Sequence, residues 1–418
     1  MCIIMSIKKK ITLSCITVVV IALGIWVSKR WNAWFYDPPE MAYHIGDMPK
    51  RVLLTFGNDG ENSRFVSWAC GETVDSNAHL LLASNSDTLS LPALGEVFQS
   101  RAGKNAFYRC ELKNLKPLAE YSYSVSTNGN RSQWYHFNTS DPQAKSFSFM
   151  FVGDVQDSIN GIVNKRLRKA VRQHPEVEFI AFGGDLIERP TNSYYDEAFR
   201  SIDSICTVLP VVVVTGNHDY LKSLIRRCER RFALTFPYFL KGMQEREDEN
   251  HLFSFDYHDT QFLLLDSERE FFYLFKQREW LEEEIEESDA SHRIVLLHHP
   301  LYSVRRKNNN LIQRWMFNNI IREGKTELVL QGHEHGYTRN TADEEPLRSG
   351  DCRNPPLYVI SHCSPKTYRL HPSKRHDPVV QGSIYYHIID VTPHSITMRA
   401  YDANSNKKID SVRIFNSL

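Results

Sequence analysis

The chain lacks an excess of charge of either sign. It contains 50 Lys and Arg residues and 50 Asp and Glu residues, so its formal net charge at pH 7 is +0. Without a strong overall field, nucleic acid is not expected as the principal partner. The composition of a disordered protein is also absent, because 42% of the 418 residues are hydrophobic. A globular protein with room for two domains is expected, and its 17 histidines stand out.

The cysteines form no C-x-x-C pair, although there are 8 of them. Cys2 and Cys15 lie in the N-terminal segment, and the others are Cys70, Cys110, Cys206, Cys228, Cys352 and Cys363. Pairing of neighbours along the chain would join Cys206 to Cys228 and Cys352 to Cys363, but other connectivities are open. Buried, inert thiols are an alternative of equal weight.

A long apolar run covers residues 11–28, with lysines at positions 8–10 before it and basic residues at 29 and 30 after it. Its length reaches the lower end of the range for a membrane-spanning helix, and the preceding lysines favour a cytoplasmic N-terminus. We therefore predict that residues 1–30 form a signal anchor that makes the membrane a partner. A cleaved signal peptide is the alternative. In both cases the remainder is expected to be extracytoplasmic, periplasmic or at the cell surface, and membrane-anchored or secreted.

Two segments follow the apolar run. Residues 31–49 are interpreted as a linker, because consecutive prolines at 38 and 39 exclude a helix there. Residues 50–141 show short alternating runs separated by Asn, Gly and Ser turns, which predicts a small antiparallel β-sandwich. The stretch from Leu115 to Tyr123 resembles the tyrosine-corner region of fibronectin type III domains. No catalytic cluster is found in this domain.

From residue 146 to residue 418, apolar strands alternate with amphipathic helices, which predicts a layered β-α-β domain. Its clearest strand has valines at positions 211–214 and ends in Gly216, Asn217, His218 and Asp219. Ligands of open α/β sheets lie beyond the carboxyl ends of the strands, so these polar side chains are candidates for a site. The strands at 357–361, 384–391 and 395–402 are assigned to a second sheet.

Four other strand-like runs end in the same way. They deliver Asp154 with Gln156, Asp185, His298 with His299, and His333 with His335. Each signal is weak alone, because Gly-Asp after a strand is often a turn and adjacent histidines are often packing residues. Together they supply oxygen and imidazole donors that suit two divalent or trivalent metal ions.

The series G-D, G-D, G-N-H-D, H and G-H-x-H resembles the calcineurin-like metallophosphoesterases, and the preceding sandwich resembles that of purple acid phosphatases. The resemblance implies an α/β (α+β) four-layer metallophosphoesterase sandwich, with two mixed sheets between helices, preceded by a small all-β sandwich domain and the N-terminal membrane segment. It implies a binuclear centre of Fe, Zn or Mn. The implied ligands are Asp154, Asp185 and His335 for the first metal, with Asp185 bridging, and Asn217, His298 and His333 for the second.

Two positions depart from the pattern. Gln156 stands where many relatives have a histidine ligand, and an amide binds a metal more weakly. Glu188 stands where purple acid phosphatases carry the tyrosine that colours iron(III), so this chain is not expected to be purple. The stretch from Gly184 to Arg189 instead resembles one in phosphoprotein phosphatases, in which the acidic residue orients the catalytic histidine and the arginine holds phosphate.

These residues predict hydrolysis of a phosphate ester substrate by a metal-bridging hydroxide. His218, oriented by Glu188 or Asp219, is expected to protonate the leaving group. Arg189 and His299 are the candidate substrate contacts, with a surface ion pair as an equally weighted alternative for Arg189. A phosphomonoesterase is expected, and the alternatives are a phosphodiesterase and a non-catalytic surface-binding protein.

An insertion at 220–275 is expected to roof the site, with a hairpin at 251–266. The basic residues Arg305, Arg306 and Lys307 are further candidates for substrate contacts.

Overall fold

The structure is a computed structural model. It describes residues 7–58, 60–84, 87–157, 161–223, 226–238, 241–242, 250–305, 310–348 and 350–415. The first element is helix α1, Ile7–Phe35, which contains the apolar stretch Ser14–Asn32. That stretch is long and apolar enough to cross a membrane, and none of it is buried against the protein. The helix ends five residues beyond the boundary predicted at residue 30, just before the prolines at 38 and 39.

An all-β domain follows, as predicted. Its strands are β1 Lys50–Gly57, β2 Gly60–Ala69, β3 His79–Ser84, β4 Asp87–Pro92, β5 Leu94–Ser100, β6 Gly103–Leu112, β7 Glu120–Thr127, β8 Asn130–Arg131 and β9 Tyr135–Asn138. The indole of Trp68 stacks on Tyr108 in its core, with ring centroids 5.5 Å apart. The main-chain N–H of Lys116 donates to the Tyr121 hydroxyl over 2.9 Å, which is the expected tyrosine-corner contact.

The second domain contains the remaining elements. The strands are β10 Phe147–Val152, β11 Val177–Phe182, β12 Val211–Val213, β13 Tyr220–Leu221, β14 Arg227–Cys228, β15 Lys241–Gly242, β16 Phe253–Tyr257, β17 Thr260–Leu265, β18 His292–Leu297, β19 Leu328–Gln331, β20 Tyr337–Asn340, β21 Asp351–Cys352, β22 Leu357–Ile360, β23 Val379–Val380, β24 Tyr385–Thr392, β25 Ser395–Asp402 and β26 Lys407–Phe415. The helices are α2 Val163–Gln173, α3 Asn192–Cys206, α4 Arg231–Thr235, α5 Phe271–Glu286 and α6 Leu311–Glu323.

Two mixed sheets face each other in this domain. One contains β10, β11 and β12, and the other contains β16 to β19 with β22. Side chains alternate along β17: Phe262 and Leu264 join the core between the sheets, whereas Leu263 and Leu265 pack with α5 and α6 on the outer side. Helices α2 and α3 cover the outer side of the first sheet. Because successive apolar side chains point to opposite faces of the strand, both faces of the sheet are covered and the domain is layered.

The all-β domain is not a separate sandwich, because β1 pairs in parallel with β12 through Thr55 and Val211. One of its sheets is therefore continuous with the first sheet of the second domain, in an 11-stranded arrangement. Strand β1 is buried on both faces from Arg51 onward. The ring of Phe56, in β1, stacks on that of Phe255 in the opposite sheet, with ring centroids 5.2 Å apart. The periodicity of residues 50–141 does not reveal this contact.

Two other expectations change, and one alternative for the cysteines is observed. Of the C-terminal strands, β22 lies in the second sheet, but β24 and β25 pair with each other beside β10 in the first. The hairpin at 251–266 is β16 with β17, so it belongs to the second sheet and does not roof the site. All the described cysteines outside α1 are free thiols, and Cys206 and Cys352 are fully buried.

Candidate metal centre

The predicted ligands converge at the carboxyl ends of strands from both sheets. Asp154 follows β10, Asp185 follows β11 and Asn217 follows β12, while His298 and His333 follow β18 and β19. The backbone of two glycines lies unusually close to the carboxylates of the candidate ligands. A Cβ atom at Gly216 would lie 2.1 Å from Asp185 Oδ1, and one at Gly332 would lie 2.4 Å from Asp154 Oδ1. The glycines that precede the ligands are therefore required for their approach.

One half of the centre contains four donors around a common point. His298 Nε2 lies 3.1 Å from Asp185 Oδ2 and 3.3 Å from Asn217 Oδ1. His333 Nδ1 lies 2.9 Å from Asn217 Oδ1 and 3.3 Å from His298 Nε2. His298 Nδ1 donates to the main-chain oxygen of Gly183 at 2.8 Å, so its Nε2 is the nitrogen that faces Asp185 and Asn217. We call these four residues the second half of the centre. Oxygen and nitrogen atoms that face one another in this way would fit a bound cation.

The other half, which we call the first half, is less complete. Asp154 Oδ2 lies 3.0 Å from His335 Nε2, and His335 Nδ1 donates to the main-chain oxygen of Lys366 at 2.9 Å. Gln156 is buried with a positive φ of 34°, and neither of its amide atoms has a hydrogen-bond partner. An orphaned buried amide beside Asp154 is consistent with a ligand that is absent. Within the described residues, only Asp185, His298 and His333 bring three His or carboxylate donors within 4.8 Å of one another.

The electrostatics of the centre favour a cation. Burial alone would raise the pKa of Asp185, but the His298 and His218 imidazoles hold it well below its usual range. Burial opposes protonation of His298, yet Asp185 and Asp154 raise its pKa to about 10. Burial and the neighbouring His299 ring hold the pKa of His333 well below its ordinary value. The carboxylates therefore favour positive charge at His298 Nε2, where a metal ion would satisfy all these donors.

His218 lies beside this cluster with 28% of its side chain exposed. Its main-chain N–H donates to Asp185 Oδ1 at 2.8 Å, and its Nδ1 donates to the main-chain oxygen of Glu188 at 2.6 Å. Its Nε2 lies 3.7 Å from Asp185 Oδ2. The expected carboxylate contacts are not the ones observed: the Glu188 side chain pairs with Lys366, and the buried Asp219 carboxylate accepts from Gly216 N at 2.8 Å. A main-chain oxygen orients the imidazole instead.

The two candidate substrate contacts, Arg189 and His299, lie in different surroundings. Arg189 lines a cavity of about 280 Å³ beside the linker residues 37–43 and Arg101. His299 is buried behind His333, with ring centroids 4.5 Å apart. Its Nδ1 lies 3.0 Å from the Ser267 hydroxyl, and its pKa falls to about 3 because of burial and the adjacent His298. His299 is therefore placed to support His333.

Sequence reasoning missed a group of residues on the open side of the first half. The Tyr368 ring lies 4.3 Å from the His335 ring, and the Arg305 guanidinium lies 4.1 Å above Tyr368. The buried Glu334 carboxylate accepts from the main-chain N–H groups of Val304 at 2.6 Å and Arg305 at 3.0 Å. Glu334 stands inside the G-H-x-H motif and was identifiable there, whereas Tyr368 lies in a loop without a periodic pattern. Arg306 and Lys307 lie outside the described residues, as do parts of the insertion at 220–275.

Comparisons with known proteins agree with this geometry. Residues 147–337 match the family model of the calcineurin-like phosphoesterases, and residues 49–139 match that of the purple acid phosphatase N-terminal domain. Acid phosphatase type 7 of Danio rerio is 22% identical over an alignment of 380 residues that covers 79% of this chain and 80% of that protein. A solved structure of GAP50, the anchor in the inner membrane complex of Plasmodium, covers 66% of this chain and 90% of its own, with 12% identity and a TM-score of 0.47. The chain therefore carries a calcineurin-like phosphoesterase domain preceded by a purple acid phosphatase N-terminal domain.

Proposed function

We propose that the chain hydrolyses phosphate monoesters at a centre of two metal ions. The observation that carries the proposal is the convergence of Asp185, Asn217, His298 and His333, whose donor atoms lie 2.9 to 3.3 Å apart in successive pairs. The ligand sets are those predicted, with Asp154, Asp185 and His335 for one ion and Asn217, His298 and His333 for the other. When bound, the ions would lower the pKa of a water and neutralise phosphoryl charge.

The protein's own residues supply the rest of the chemistry. His218 donates its Nδ1–H to Glu188 O, and in the imidazolium form the second proton, at Nε2 of the part-exposed side chain, can pass to a leaving oxygen. Arg305 is fixed near His335 by Tyr368 and by the Glu334 contact, which suits a cation that binds the substrate phosphoryl group. Arg305 is therefore better supported as a phosphate contact than Arg189, which lines the linker cavity.

Two alternatives are retained. A phosphodiesterase would use the same donors, and a non-catalytic surface-binding protein would keep the fold without turnover. The part-exposed His218 imidazole beside Asp185 favours an enzyme, because a scaffold has no use for a leaving-group acid.

The decisive experiment is to purify the full chain in detergent, measure its bound metals, and assay a panel of phosphate monoesters and diesters. We expect metal in the purified protein and turnover of monoesters. Turnover of diesters alone would establish the phosphodiesterase alternative, and metal binding without turnover of either class would contradict an enzyme.

We also propose that α1 is retained as a membrane anchor, with residues 50–141 and 146–418 as the two domains outside the cytoplasm. The helix continues past the apolar run and ends with Trp31, Trp34 and Phe35, aromatic residues of the kind found at membrane interfaces. Protease added outside the cytoplasmic membrane should degrade the chain beyond residue 35. Protection in cells stripped of any outer layer would contradict this location.

A further inference from the structure

An exposed apolar surface lies at the N-terminal ends of α5 and α6. It consists of Phe271, Phe272 and Phe275 on α5 and Leu311, Ile312 and Trp315 on α6, and we call it the aromatic face. Phe272 is 80% exposed and Trp315 is 59% exposed. The rings of Phe271 and Trp315 stack at 6.0 Å, so the two helices present one continuous surface.

The aromatic face is additional to the buried sides of these helices. Helix α5 buries Leu274, Trp280 and Leu281 against the second sheet, and α6 buries Met316 and Phe317 there. Packing of the core is thus complete without the aromatic face. A contiguous exposed apolar surface of this kind marks an interaction site more often than scattered apolar residues do.

A series of contacts links the end of α1 to the start of α5. Asp37, two residues after α1, accepts a hydrogen bond from the main-chain N–H of Lys222 at 2.6 Å. Lys222 follows β13, whose partner β14 is preceded by Arg226, and Arg226 forms an ion pair with Glu268. Glu268 lies three residues before the start of α5. The start of α5 is therefore joined through these contacts to the segment that leaves α1.

Basic side chains lie among the residues of the aromatic face, together with the carboxylates of Glu270, directly before α5, and Glu279 on it. The Lys276 ammonium lies 5.3 Å from the Tyr273 ring centroid, and the Arg278 guanidinium lies 6.0 Å from that of Phe275. Arg314 on α6 lies over Tyr302 at 4.2 Å. Aromatic side chains flanked by lysine and arginine are the composition of helices that lie in the headgroup layer of a membrane.

We propose that the aromatic face rests in the headgroup layer of the membrane that anchors α1, with anionic phospholipid as its partner. Gln313 of α6 donates to the main-chain oxygen of Ser267 at 3.0 Å, and Ser267 contacts His299 behind His333. The metal centre is thus connected to the membrane-facing helices. One consequence rests on the proposed function: phosphate esters held at the membrane surface are the substrates this orientation favours.

The first test uses the full chain reconstituted in vesicles of phosphatidylcholine and phosphatidylglycerol. With Cys2 and Cys15 changed to Ser, Phe272→Cys carries an environment-sensitive fluorophore, and Leu94→Cys, an exposed apolar position in the all-β domain, is the matched control. The parent protein, which has neither Phe272→Cys nor Leu94→Cys, measures labelling of the remaining cysteines. Nitroxide-labelled lipid should quench the fluorophore at position 272 and leave that at position 94 unchanged. Equal quenching at the two positions, or none at either, would overturn the proposal.

The second test inserts a protease site after Phe35 in the reconstituted chain. After cleavage the domains should stay on anionic vesicles, and Phe272→Ser with Trp315→Ser should lower this partitioning by more than about tenfold. Leu89→Ser with Leu94→Ser, which removes exposed leucines elsewhere, should have no effect. Release of the unaltered protein on cleavage would overturn the proposal. The fluorophore at position 272 could instead be shielded from water but not quenched by lipid, in a protein that is dimeric in detergent. That result would assign the aromatic face to contact with a second copy of the chain and would also overturn the proposal.

Discussion

The two halves of the metal centre differ in how completely the chain alone builds them. In the second half, Asp185, Asn217, His298 and His333 surround one point at hydrogen-bonding distances. In the first half, Asp154 and His335 face each other at 3.0 Å beside a glutamine whose amide has no partner. The comparison teaches that the departure of this chain from the metallophosphoesterase pattern is local: the glutamine lies in one half, and the donors of the other half are all present. Four predictions test that difference.

The largest effect is expected from Asp185→Asn. Its carboxylate contacts His298 and is proposed to bridge the two ions, so its loss should remove metal from both halves and abolish turnover, whereas His298→Ala should empty the second half alone. Metal content by mass spectrometry separates the two outcomes, with the exposed His44→Ala as the control. Unchanged metal content in Asp185→Asn would contradict its bridging role.

His218→Ala should leave the metal content of both halves unchanged and slow turnover. General acid catalysis contributes about 10²- to 10⁴-fold, so hydrolysis of alkyl phosphates should slow by that factor and hydrolysis of aryl phosphates by less. Steady-state kinetics on a series of leaving groups measures this. Equal losses across the series would show that His218 acts on the phosphoryl oxygens or the attacking water.

Gln156→His should reduce the difference between the halves. A histidine at this buried position would supply the missing imidazole, and the affinity of the first half for metal should rise by about 10- to 100-fold. Competition with a chelator measures the affinity directly, without reliance on activity. An unchanged affinity would place residue 156 outside the ligand shell.

The smallest effect is expected from Glu188→Gln. Because the main-chain oxygen of Glu188, and not its carboxylate, holds His218, the substitution removes only the part-exposed pair with Lys366. Such pairs are worth at most about 1 kcal/mol, so turnover should change by less than about fivefold. A loss as large as that of His218→Ala would restore the carboxylate as the orienting group.

The positions of the ligands could be predicted because they depend on local pattern. A buried apolar run that stops at glycine and a polar residue places that residue at a strand end, and the parallel order of β10, β11 and β12 brings such ends together. The contact of Glu188 could not be predicted, because it depends on Lys366, 178 residues away in a loop without periodicity. The location of Tyr368 over His335 was missed for the same reason. The prediction that β24 and β25 belong to the second sheet was wrong, because alternation shows which face of a strand is buried but not which strand is its neighbour.

Because β1 pairs with β12, the two domains share one sheet, and each depends on the other to cover a strand edge. Strand β12 consists of Val211, Val212 and Val213, all buried, and β1 occupies the side that β11 leaves open. A truncation that began at residue 146 would turn this valine strand into an uncovered edge, the kind of surface on which chains aggregate. The all-β domain is therefore an integral flank of the sheet that contains β10, β11 and β12, and neither domain can be exchanged for a module that lacks a matching edge strand.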